Sequence, residues 1–229
     1  MDPFLQLAAQ GAMIERLSSD SRRCAPGVAF LAYPGEKADG RAHIGDAILR
    51  GASAVLWEGE GFSWDAGWRL PNVAVEELKQ QAGRLAHEFY GKPSEALWVC
   101  GVTGTNGKTS CSQWIAAALA RHGSKAGVIG TLGSGFPGAL APLVNTTPDA
   151  LELHLTLKQM RADGAKACAF VEQYLRGLLA AVGLVVAAHP LDGRSVEQAV
   201  ALLAQVDDDD AGAGLLFAHG GEDGLEPRG

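Results

Sequence analysis

Gly101-Val102-Thr103-Gly104-Thr105-Asn106-Gly107-Lys108-Thr109 decides how the whole chain is read. It grows out of the apolar run Leu97-Trp98-Val99-Cys100-Gly101-Val102, which has the composition of a buried strand, and runs into Thr109–Arg121, which reads as a helix. Glycines at 101, 104 and 107 recur every third residue. Glycine lets the backbone fold back and aim several N–H groups at one phosphate, and the helix start adds partial positive charge. Lys108 would then reach the outer phosphates, and the Thr109 hydroxyl would complete a magnesium site. The usual phosphate loop carries glycine where Val102 stands, so the fit is to a variant loop. The other reading is a glycine-rich turn with an incidental lysine. By itself the loop indicates a nucleoside triphosphate and leaves the reaction open.

Working outward, the helix is followed by a strand at Ala126–Ile129, which makes a parallel strand–helix–strand unit. A further helix is expected over Pro148–Arg161 and another buried strand over Ala165–Phe170. Upstream, Gly27–Ala32 and Ala52–Trp57 read as strands, with a helix at Ile44–Arg50 between them and turns at Pro34-Gly35 and Asp39-Gly40. Val75–Tyr90 has apolar positions at helical spacing, and Gly91-Lys92-Pro93-Ser94 reads as a hinge. The fold class is α/β. Residues 1–92 form a small α/β domain and residues 93–206 a parallel-sheet nucleotide-binding domain. Within the latter, Leu175–Ala188 is apolar and alanine-rich, and Ser195–Val206 reads as an amphipathic helix. The acidic run Asp207–Asp210 and the glycine-rich end, residues 207–229, read as a disordered tail.

Composition narrows the function classes. With 229 residues, 47% of them hydrophobic, the chain can bury one core or two modest ones. A net charge of −7 provides no broad basic field for nucleic acid or an anionic membrane. Cys24, Cys100, Cys111 and Cys168 are scattered, without the spacing of a zinc site or a disulfide framework. No basic stretch followed by an apolar run opens the chain, and Gly177–Ala188 is too short to span a bilayer. The expectation is a cytoplasmic protein without membrane insertion. His43, His87 and His154 stand singly near helical segments and are read as structural or solvated.

The string from Gly101 to Thr109 resembles the ATP loop of the Mur ligase family of peptidoglycan synthesis. Upstream, Asp20-Ser21-Arg22, Pro26-Gly27, Phe30, Gly35, Asp39-Gly40-Arg41 and Gly51-Ala52 resemble the family's domain for the UDP end of its substrate. Downstream, Asn145-Thr146-Thr147-Pro148-Asp149 resembles the segment that grips the muramoyl-peptide. In order and spacing the landmarks, from Ser19 to Ala169, are most similar to the member that adds the third peptide residue to UDP-N-acetylmuramoyl-L-alanyl-D-glutamate. The resemblance implies an ATP- and Mg²⁺-dependent ligase that joins diaminopimelate or lysine to that substrate through an acyl-phosphate. It implies ATP contacts at Gly104, Thr105, Asn106, Gly107, Lys108, Thr109 and Ser110, with Lys108 catalytic and Thr109 on the metal. For the UDP-muramoyl-peptide it implies Ser19, Ser21, Arg22, Glu36, Lys37, Ala38, Asn145, Thr146 and Thr147.

Each landmark also has a purely structural reading. Asp20-Ser21-Arg22 could cap a helix and leave a surface arginine, and Asn145-Thr146-Thr147 could cap the helix at Pro148. After Ala169 the chain departs from the family pattern. Phe170-Val171-Glu172-Gln173-Tyr174 stands where the family has a glutamate, a serine pair and a histidine, and the carbamylated lysine, the histidine-rich metal segment and the amino-acid-binding domain are not recognised further on. The expectation is therefore a truncated, frameshifted or redesigned ligase with an incomplete ATPase domain and poor activity. Two other functions stay open, a non-catalytic nucleotide or UDP-sugar binding module and an unrelated phosphate-loop NTPase.

Overall fold

The computed structural model describes residues 2–36, 38–104, 107–142, 149–171 and 213–217. It divides into two compact units, one comprising Met1–Phe89 with Ala150–Leu155 and the other holding most of the remaining chain. Helix α5, Ala150–Ala162, is thus shared, where an uninterrupted second domain was expected from residue 93.

The first unit is a four-stranded, wholly parallel sheet in the order β1 (Arg16–Ser18), β2 (Val28–Ala32), β3 (Ala54–Glu58), β4 (Asn72–Val75). Every residue of β2 is buried, as expected for a parallel strand covered on both faces. Cys24, Val28, Phe30, Ala32, Ala52 and Val55 pack with Ile44 and Ala47 of helix α2 (Ile44–Leu49) in one core. Helix α1, Pro3–Ala9, is capped by Asp2, whose side chain accepts from Phe4 N.

Helix α3 spans Leu78–Phe89, three residues shorter at its start than the periodicity predicted. β4 takes the chain through Val75, and Glu77 then adopts φ 49°. The helix start is capped from another strand: the Glu58 carboxylate at the end of β3 accepts from Glu77 N at 3.0 Å and from Leu78 N at 2.5 Å. Leu78, Ala82, Leu85 and Ala86 form its buried stripe.

The second unit is a six-stranded sheet in the order β10-β5-β9-β6-β7-β8. β5 (Trp98–Gly104), β9 (Ala167–Val171) and β6 (Ala126–Gly130) are parallel, and helix α4 (Lys108–Arg121) covers them. Ser112, Ile115, Ala116 and Leu119 recur at helical spacing on its buried face. The three apolar ones join Trp98, Cys100, Val102, Ala126, Val128, Ala167 and Ala169 in the core. Burying one such aliphatic side chain contributes about 1.5–3 kcal/mol.

The antiparallel strands β7 (Gly133–Phe136) and β8 (Ala139–Ala141) extend one edge. Gly133 has φ 124°, and a Cβ there would run into the Ala141 carbonyl oxygen, so the hairpin requires glycine. At the other edge β10, Ala213–Phe217, pairs antiparallel with β5, Ala213 opposite Gly104 and Phe217 opposite Cys100. These five residues correct the expected disordered tail: Leu215-Leu216-Phe217 is an apolar run, and an open strand edge offers it a ladder. The stretch Leu175–Ala188, the helix at Ser195–Val206 and Asp207–Asp210 lie outside the described residues.

Among the described residues no helix is long and apolar enough to cross a membrane, and no group of three His, Cys, Asp or Glu could hold a metal ion. All four cysteines are free thiols. Burial pushes Cys100 and Cys168 up to about 12, so both act as neutral core filling.

Candidate functional site

In the second unit the candidate site begins where β5 ends at Gly104. Thr105 and Asn106 lie outside the described residues. Gly107 caps α4 with φ 75° and ψ −8°, a left-handed conformation that glycine adopts without strain. It offers no side-chain cap, and its carbonyl accepts from Cys111 N at 2.8 Å. A glycine at this position brings no side chain of its own to the first turn of α4, and an anion placed there would meet N–H donors and the positive helix end. The first turn holds Lys108, Thr109 and the exposed Ser110, with no acidic residue among them.

A residue absent from the sequence reading joins this cluster. Thr131, directly after β6, places its Oγ1 3.2 Å from Thr109 Oγ1. Parallel strands end on one edge of the sheet, and ligands of open α/β sheets bind outside those carboxyl ends. No short-range signal marked Thr131, because a threonine after a strand is common and only the sheet order brings it to Thr109. The donor set suits Mg²⁺, which takes hard oxygen ligands and is commonly held by one or two protein groups together with nucleotide phosphates. Thr109 would supply such an oxygen, and Lys108 and the helix N–H groups the donors that phosphates need.

In the first unit a cavity of about 490 Å³ is lined by Ser19, Asp20, Ser21, Arg22, Phe30, Gly40, His43, Asp46 and Arg50. Three expected ligand residues, Ser19, Ser21 and Arg22, meet here. The structural reading of Asp20-Ser21-Arg22 also holds: Asp20 caps the 3-10 turn Ser21–Arg23 by accepting from Arg22 N at 2.9 Å. The same carboxylate grips the Arg22 guanidinium at 2.9 and 2.8 Å, which holds Asp20 below the usual carboxylate range. A second copy of this device stands at Asp39-Gly40-Arg41, where Asp39 caps Gly40–His43 and pairs with Arg41. There the arginine turns away to the Glu58 and Glu60 carbonyls and stacks on Phe62.

His43, Asp46 and Arg50 were not predicted to line a cavity. They reach it from α2 and its flanks, and His43 Nδ1 lies 3.4 Å from Asp46 Oδ2. Glu36 and Ala38 occupy the turn closed by Gly35 N donating to Ala38 O, and neither lines the cavity. Lys37, Asn145, Thr146 and Thr147 lie outside the described residues, as does Glu172.

His87 and His154 are not single residues either. Their rings meet at 5.1 Å within the first unit, and both are buried. In the same unit Glu152 draws in Arg23 at 2.8 Å and Arg16 at 3.4 Å.

Comparison with known proteins follows the same division. Residues 13–90 match the profile described as Mur ligase family, catalytic domain, and residues 102–172 match the Mur ligase middle domain. The UDP-N-acetylmuramoyl-L-alanyl-D-glutamate--2,6-diaminopimelate ligase of Nitrosomonas europaea is 51% identical over 152 residues, which cover 66% of this chain and 29% of the relative. The ligase of the same name from Chromobacterium violaceum is 49% identical over 165 residues, covering 72% of this chain and 33% of the relative. Among solved structures, a ligase of that name superposes with a TM-score of 0.58 at 26% identity, over 84% of this chain and 41% of the other. The chain spans about a third of the length of the curated relatives it matches. With both units matched in order and the sheet architecture shared, the chain belongs to the Mur ligase family.

Proposed function

We propose that this chain carries the nucleotide-binding part of a peptidoglycan-precursor ligase that adds diaminopimelate to UDP-N-acetylmuramoyl-L-alanyl-D-glutamate. The observation that carries the reading is the left-handed Gly107 at the start of α4, directly after β5, with Lys108 and Thr109 in the helix's first turn. Bound ATP supplies the phosphoryl group that turns a substrate carboxylate into an acyl-phosphate, from which the incoming amine displaces phosphate as the amide forms. Lys108 and the N–H groups of the Gly104–Ser110 segment neutralise charge on the outer phosphates, which is positioning and electrostatics with no covalent enzyme intermediate. Thr109 gives an oxygen to Mg²⁺.

The first-unit cavity takes the UDP end of the substrate. Ser19 and Ser21 offer hydroxyls to the nucleotide, and Arg22, already oriented by Asp20, offers a fork of donors to phosphate oxygens. Glu36, Lys37 and Ala38 contribute the neighbouring turn, and Asn145, Thr146 and Thr147 the grip on the muramoyl-peptide. The names of the relatives support diaminopimelate over lysine as the amine.

Thermal-shift titration with ATP–Mg²⁺ and with UDP-N-acetylmuramoyl-L-alanyl-D-glutamate, each alone, tests both sites. A ligand at 100 times its Kd that binds only the folded protein adds about 2.7 kcal/mol and raises the melting temperature. The reading expects a rise with each ligand. A rise with ATP alone would remove the UDP end of the substrate from the first-unit cavity, and a rise with neither would refute the proposal.

A further inference from the structure

Thr131 lies outside the phosphate-loop pattern, yet the sheet brings it to the loop's metal-binding threonine. It is exposed, directly follows β6, and has its hydroxyl oxygen 3.2 Å from that of Thr109 on α4. In a pair of hydroxyls one donates and the other accepts. A hydroxyl that turns a lone pair to a cation must send its proton elsewhere, and Thr131 Oγ1 is an acceptor within reach of Thr109. The contact also selects a rotamer, since a helical threonine otherwise divides between two, one of them bonding a backbone carbonyl.

We propose that Thr131 is a positioning residue for nucleotide-bound Mg²⁺, accepting the Thr109 proton so that the Thr109 oxygen faces the cation. This rests on the phosphate-loop reading above. Thr131 acts through Thr109 and needs no contact of its own with the metal. Its hydroxyl should therefore matter only when the metal is present.

The test is calorimetric titration of the full chain with ATP, once with Mg²⁺ and once with a chelator, for the parent, Thr131→Val and Thr131→Ser. Valine keeps the shape and removes the hydroxyl, and serine restores it. The gain in affinity that Mg²⁺ confers should fall about three- to tenfold in Thr131→Val, the scale of one lost hydrogen bond. Affinity without metal should not change, and Thr131→Ser should keep the parent's gain. An undiminished Mg²⁺ gain in Thr131→Val, with ATP still bound, overturns the role of Thr131 and leaves the loop reading intact. An equal loss with and without metal would mark a packing effect and also overturns it. A parent that binds no ATP overturns the loop reading and the Thr131 role together.

Discussion

Acid should loosen the first unit through His154. Its side chain is fully buried in α5 against His87, and neither ring nitrogen meets a hydrogen-bond partner among the described residues. Burial, with a smaller contribution from His87, lowers its pKa from 6.5 to about 4. The native ring therefore stays neutral down to about pH 4, while the unfolded chain takes up a proton near pH 6.5. Between those values the unfolded state holds more protons, so stability is full above pH 6.5 and is lost as pH falls towards 4. At about 1.4 kcal/mol per tenfold change in proton affinity, the whole effect is about 3 kcal/mol, of which about 2 kcal/mol is lost by pH 5. His154→Leu removes the titrating ring and two buried polar atoms while keeping apolar volume. Urea unfolding of parent and variant at pH 7.5 and pH 5 isolates the histidine, because the other titrating groups are common to both. The variant should lose about 2 kcal/mol less than the parent across that interval. Parallel losses in the two proteins would refute the reasoning.

Three other outcomes follow from the same geometry. Glu58→Ala should cost about 1–3 kcal/mol in urea unfolding, because it strips the acceptor from two N–H groups at the start of α3; a negligible loss would mean that water caps the helix equally well. Arg22→Ala should weaken UDP binding about tenfold by calorimetry, the scale of one charge-assisted hydrogen bond, and unchanged affinity would remove Arg22 from the ligand site. Because the match to the family's middle domain ends at residue 172, the chain with ATP, Mg²⁺, UDP-N-acetylmuramoyl-L-alanyl-D-glutamate and diaminopimelate should yield no multiple-turnover product by mass; such product would show that the residues beyond 172 complete the site.

The parts legible in the sequence are those whose signals are local. The parallel strands β2, β5, β6 and β9 are continuous apolar runs, and α4 starts at Lys108 within one residue of its expected position. The loop's own signal is equally local, since glycine spacing, lysine and threonine lie within nine residues, and its chemistry is what the ATP titrations test. β1 and β4 were missed because they are short edge strands, three and four residues long, in which periodicity has no room to show. The hairpin β7–β8 was missed because Gly133, Gly135 and Pro137 have the composition of a loop, although the glycines are what let its strands approach. The long-range partners were out of reach for another reason. Thr131 and Thr109 are 22 positions apart, and Glu58 stands 20 from Leu78. His87 meets His154 only through the packing of α3 and α5. Each pairing depends on which elements become neighbours, and residue type carries no signal of that.

The central claim is that the turn into α4 is a phosphate site, and calorimetric titration of the parent and Lys108→Ala with ATP–Mg²⁺ tests it most directly. Lys108 would place its positive charge against the outer phosphates, so its removal should cost about 1.5–3 kcal/mol of binding free energy, a loss of at least about tenfold in affinity. Equal ATP affinity in the two proteins would show that Gly104–Thr109 is a turn and nothing more.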